Sequence, residues 1–108
     1  MNHPFAQALS NALSYAIVSK QVSQQHEAIG FLYREEPAFE HDSGWRFFSG
    51  AEDDAYANDS ANYETLPLSQ ILTAHPEIAP LMQQSAGAWE WSDDSESYTP
   101  VTDWQPQA

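Results

Sequence analysis

The side chains best suited to chemistry in this sequence are carboxylates and histidines. Glu52, Asp53 and Asp54, with Asp59 shortly after, offer the hard oxygen ligands that calcium prefers. An EF-hand loop, however, needs oxygen ligands at alternate positions and a glycine at its sharp turn. A window opened at Asp54 puts Tyr56 third and Asp59 where that glycine belongs, and windows opened at Glu52 or Asp53 fit no better. A solvated acidic face is therefore expected, with an irregular oxygen-ligand site as the alternative. His3, His26, His41 and His75 are far apart and show no HxH or HExxH spacing, so no metal is expected on them. The absence of cysteine excludes thiolate ligands, thiol nucleophiles and disulfides. Neither a GxSxG elbow nor a phosphate-cradling glycine loop is present. No cofactor and no catalytic residue is expected.

Two of the three cations, Arg34 and Arg46, stand among carboxylates and aromatic rings, in Tyr33-Arg34-Glu35-Glu36-Pro37 and in the longer run from Asp42 to Tyr56. Arginine pairs carboxylates bidentately, so both are expected to hold loops through Glu35, Glu36 or Asp42, while Trp45 and Phe47 fill the core. The competing arrangement is a concave pocket in which Arg34, Arg46 and nearby carboxylates face a small ligand.

The elements that must position these groups are short. Phe5, Leu9 and Leu13 recur at helical spacing behind Pro4 and predict a helix over about 4–13. Tyr15 to Val18 and Ala28 to Tyr33 are β-prone and predict an antiparallel pair across the polar stretch Ser19 to Glu27. A third strand is expected over Trp45 to Ser49, after a turn at Asp42-Ser43-Gly44. Early acids from Glu52 suit one or two helical turns. Two short helices starting near Pro67 and Pro76 follow, then a strand over Ala88 to Trp91 and another segment over Tyr98 to Val101. This order predicts one α+β domain spanning 1–108, a small antiparallel sheet with an N-terminal helix and short helices on one face. Ile17, Ile29, Phe31, Trp45, Phe47, Leu72, Ile78 and Leu81 are its expected core.

The chain has 16 acids against three Lys and Arg, for a formal charge of −13. Eleven of those acids and none of those cations lie beyond Arg46. Such a surface repels phosphate backbones and anionic membranes and attracts basic proteins. No basic leader precedes an apolar stretch and no apolar run reaches membrane-helix length, so a cytoplasmic location is expected.

At Ala16 to Lys20, Gly30 to Pro37, and Asp42 to Gly50 with Glu52, Asp53, Asp54 and Tyr56, the chain resembles the thirty-third family of bacterial immunity proteins of polymorphic toxin systems. The resemblance runs over about 14–91, leaving the N-terminal helix and an acidic tail over about 92–108 outside it. It implies a protein that binds and blocks a cognate toxin without a reaction of its own. Glu52, Asp53, Asp54, Tyr56 and Asp59 are the expected partner-binding residues, since charge speeds capture of a basic protein and a buried ring slows release. A second acidic cluster, Asp93, Asp94 and Glu96 beside Trp89 and Trp91, is the fallback. A regulatory or scaffold module shares the same surface signature; a small ligand binder or enzyme needs the arginine pocket.

Overall fold

The computed structural model describes residues 14–102. The expected N-terminal helix over about 4–13 lies outside them, and the first described helix follows a strand. In chain order the elements are β1 (Tyr15–Ser19), α1 (Lys20–Ser23), β2 (Phe31–Arg34), β3 (Asp42–Phe48) and α2 (Asp54–Ala57). A 3-10 turn at Ser60–Asn62 leads to β4 (Tyr63–Pro67), α3 (Leu68–Ala74), a 3-10 segment at Pro76–Gln83, β5 (Gly87–Ser92) and β6 (Ser97–Pro100). The six strands form one sheet in the order β4-β1-β3-β2-β5-β6. Every pairing is antiparallel except β1 with β3.

That parallel pair corrects the expected β1–β2 hairpin. The polar stretch after β1 is not a plain loop, because Ser19 accepts a hydrogen bond from the Gln21 amide and caps α1, whose Val22 is buried. The chain crosses over, and β3 inserts between β1 and β2. The strand β4 was not expected either. Leu66 and Pro67 suggest a helix start, but Pro67 closes an edge strand, where the missing amide costs no ladder bond. After α3, His75 leaves helical geometry, at φ −133 and ψ 69, in keeping with the bias of a residue before proline away from the helical region. The following segment, with Pro80 inside it, keeps to 3-10 geometry.

Asp42-Ser43-Gly44 is likewise not a turn before the third strand but a bulge inside it. The register steps from Tyr15 opposite Asp42 to Ile17 opposite Arg46, so two steps of β1 face four of β3. Gly44 sits at φ +87, and a Cβ there would collide with the Glu35 carbonyl. Gly44→Ala should lower stability by roughly 1–3 kcal/mol, read as a lower urea midpoint with an unchanged slope.

The core lies on one face of the sheet. Ala16, Val18, Leu32, Trp45, Phe47 and Trp89 project from the strands and meet Val22, Leu68, Ile71 and Ile78 from the helical segments. Ile29 and Trp45 are buried as expected, and Leu72 and Leu81 pack against the cluster from its border. The assignment of faces on β1 and β2 is inverted: Ile17 and Phe31 are only half-buried, and Leu32 takes the central place. Cross-strand pairing of Leu32 with both Phe47 and Trp89 fixes this phase.

Candidate functional site

On the sheet face opposite the core, β3 places Arg46 beside Tyr33 of β2 and Ile17 of β1. The guanidinium is closed on all sides. Its Nη1 and Nη2 donate to the two Asp42 oxygens at 2.8 Å each, and Nε donates to Glu35 Oε2 at 2.6 Å. Side-chain exposures of 4% for Arg46, 0% for Asp42 and 22% for Glu35 put the pair with Asp42 out of water. Asp42 also accepts from the amides of Ala38 and Gly44, which explains the bulge: it turns the strand's own N–H groups toward the carboxylate. Arg34 points to the core side. It donates to the carbonyls of Ser43 and Gln84 and lies 5.6 Å from the centre of the Trp45 ring, tying the end of the 3-10 segment to the sheet. The ligand pocket that would join the two arginines is not formed. Glu36 is exposed and outside the cluster.

Burial opposes ionisation of Asp42, but the hydrogen bonds from Arg46, Ala38 and Gly44 and the arginine charge outweigh it and hold the carboxyl below its ordinary value of 3.8. Glu52 behaves alike. Burial is outweighed by hydrogen bonds from Ser19 and from backbone amides including those of Ser49 and Gly50, so it sits below 4.5. Both groups bind fewer protons folded than unfolded in acid. Their contribution is complete above those ordinary values and is lost as the pH falls through the lower folded ones. Urea midpoints measured from pH 6 down to 2.5 should therefore decline, and Glu52→Gln should flatten the decline relative to the parent.

The expected partner-binding residues occupy one continuous segment with different jobs. Glu52 folds back and accepts from the Ser49 and Gly50 amides at 2.8 and 2.9 Å. Asp53 caps α2 through the Tyr56 amide, and Asp59 caps the 3-10 turn through Ala61. Asp53, Asp54 and Asp59 remain exposed. Tyr56 stands edge-on to Tyr63, with ring centres 6.4 Å apart.

Through Tyr63 that segment joins a feature not anticipated from sequence. Tyr63 meets Phe48 at 5.9 Å, and Phe48 stacks with Tyr33 at 5.6 Å and meets Phe31 at 5.8 Å. These rings lie on the face that no described helix covers; α1, α3 and the Pro76–Gln83 segment send their buried residues to the other side. All are only partly buried. A recess of about 400 Å³ opens beside Phe31 and Phe48, with Glu52, Ala57 and Glu90 on its wall. Burial and neighbouring negative charge push the Tyr63 hydroxyl above its ordinary value, and Tyr33 likewise. The sequence signal was the Phe47-Phe48 pair, since adjacent residues of a strand face opposite sides. Among the described residues no group of three or more His, Asp or Glu could hold a metal, and no helix is long and apolar enough to cross a membrane.

A mostly antiparallel sheet roofed by short helices on one face, and aromatic with a carboxylate border on the other, defines a small acidic α+β domain. The family model described as the Immunity protein Imm33 domain matches residues 16–102, and the chain belongs to that family. The match takes in the β5–β6 hairpin as well as the motif-bearing strands. No curated protein and no solved structure gives a match.

Proposed function

We propose that this protein works in the cytoplasm by binding and neutralising a cognate bacterial toxin with a basic surface, without catalysing a reaction. Membership of an immunity-protein family supports the role. The observation that carries the location is the continuity of Tyr56, Tyr63, Phe48, Tyr33 and Phe31 across the sheet face that no described helix covers, bordered by the exposed carboxylates of Asp53, Asp54, Asp59 and Glu90. An aromatic patch inside a charged border has the anatomy of a protein interface, in which the rings supply binding energy and the border steers the encounter. A net charge of −13 acts against nucleic acid and anionic membrane as alternatives.

Association and dissociation rates should be measured with the toxin encoded beside this gene. Charge reversal by Asp53→Lys with Asp54→Lys is expected to slow association at low salt by about tenfold or more and to flatten its salt dependence. Tyr63→Ala and Tyr56→Ala should mainly speed dissociation. Unaltered rates in all these variants would place the interface elsewhere, with the Asp93, Asp94 and Glu96 cluster next to be tried.

A further inference from the structure

A second recess, of about 490 Å³, adjoins the one beside Phe31 and Phe48 and shares Gly30 and Trp91 with it. Its carboxylates come from separate parts of the chain, Glu27 from the loop after α1 and Glu77 from the start of the 3-10 segment. Trp91 and Tyr98 of the β5–β6 hairpin line it too, edge to face with ring centres 5.1 Å apart. Both rings are anchored. The Trp91 indole donates to Asp93 at 2.9 Å, and the Tyr98 hydroxyl donates to the Ile29 carbonyl at 2.7 Å. Burial, and then the charge of Glu77, push Tyr98 up to about 12, so it stays a neutral donor. Trp91 nevertheless leaves 40% of its surface in solvent, an expensive exposure for the largest apolar side chain.

We infer that this recess receives a cationic side chain, arginine above all, carried by a polypeptide partner. Two carboxylates repel an anion, and an apolar group would desolvate them without compensation. A guanidinium satisfies both features: it stacks on an indole face and pairs with carboxylates in its plane, and it sheds water more readily than ammonium. Among the described residues no Lys or Arg lines the recess, and Arg34 and Arg46 are held by internal partners. His75 Nδ1, 3.3 Å from Glu77 Oε2, engages one oxygen of that carboxylate only. The inference rests on the protein-binding reading for the kind of molecule that brings the cation.

The probe is the capped peptide Gly-Arg-Arg-Gly, titrated at low salt into nitrogen-15-labelled protein while the Trp91 indole signal, assigned with Trp91→Phe, is followed. A saturable shift is expected, tighter for arginine than for the lysine analogue. Glu77→Gln and Glu27→Gln should each weaken it several-fold, whereas Glu36→Gln, at an exposed site apart from the recess, should leave it unchanged. Equal binding of the uncharged citrulline peptide overturns the inference, as does equal weakening by Glu36→Gln, which marks diffuse attraction. Loss of peptide binding with toxin capture still sensitive to Tyr63→Ala removes this site alone; the converse removes the aromatic face alone.

Discussion

Arg46→Ala is expected to cost about 3–5 kcal/mol, enough to leave much of the chain unfolded at modest temperature, because a domain this size is stabilised by only about 5–15 kcal/mol in total. The loss does not measure the attraction of the ion pair. It arises because Asp42, with no side-chain exposure, would keep its charge with two backbone donors but no counter-ion, while Glu35 would lose its anchor. Asp42→Ala should be comparably severe, since it strands the guanidinium and leaves the Ala38 and Gly44 amides without an acceptor. Replacing Arg46, Asp42 and Glu35 together by apolar residues of similar volume should recover part of the loss, as no charge is then left buried without a partner and only the Ala38 and Gly44 amides lack their acceptor. Urea unfolding of the three proteins checks this; a loss under 1 kcal/mol in Arg46→Ala would show that water reaches the site and that the closure is not structural.

The same cluster shows what the sequence could and could not say. Pairing of Arg46 with Glu35 and Asp42 was legible from the sequence, because arginines set among acids in short strands have few other partners, but Arg34, expected to pair likewise, reaches two backbone carbonyls instead. The bulge that aims the Gly44 amide at Asp42 was not, since Asp-Ser-Gly is chemically a turn signal and only the partner strand decides between turn and bulge. The strands at Phe31–Arg34 and Gly87–Ser92 were readable from β-prone runs. Their neighbours were not, because local sequence carries no record of β3 inserting beside β1.

Misphasing of β2 has the same origin and hid the aromatic face. Ile29, Phe31 and Tyr33 alternate and look like the buried side, and Ile29 is indeed buried, yet it precedes the strand. Within the strand Leu32 faces the core, sandwiched between Phe47 and Trp89, so the larger rings turn outward. Bulky residues placed away from a core are a conflict between local preference and fold, and such conflicts collect where a surface has a use beyond folding. The acids at Asp53 and Asp59 were legible as a surface but not as caps, a role that follows only from where α2 and the 3-10 turn begin.

Phe47 and Phe48 let folding and binding be separated by one step along a strand. Phe47 is completely buried against Trp45 and Leu32, so Phe47→Ala should cost about 3–5 kcal/mol, while folded molecules that remain keep the parent's binding rates. Phe48 sits among Phe31, Tyr33 and Tyr63 on the open face and is only partly buried. Phe48→Ala should cost less, about 1–2 kcal/mol of folding, since the ring is only partly buried and lies outside the core cluster. Its effect on the toxin complex should be the larger one: about 2 kcal/mol or more, or roughly 30-fold in affinity, appearing as faster dissociation because a central ring is lost and charge steering is untouched. Combining Phe48→Ala with Tyr63→Ala should give less than the sum of the two binding losses, because the rings touch and each loosens the other. Equal stability losses for the two phenylalanines, or a Phe48→Ala complex that dissociates at the parent rate, would remove the open face from the interface and leave the rings as an outward extension of the fold.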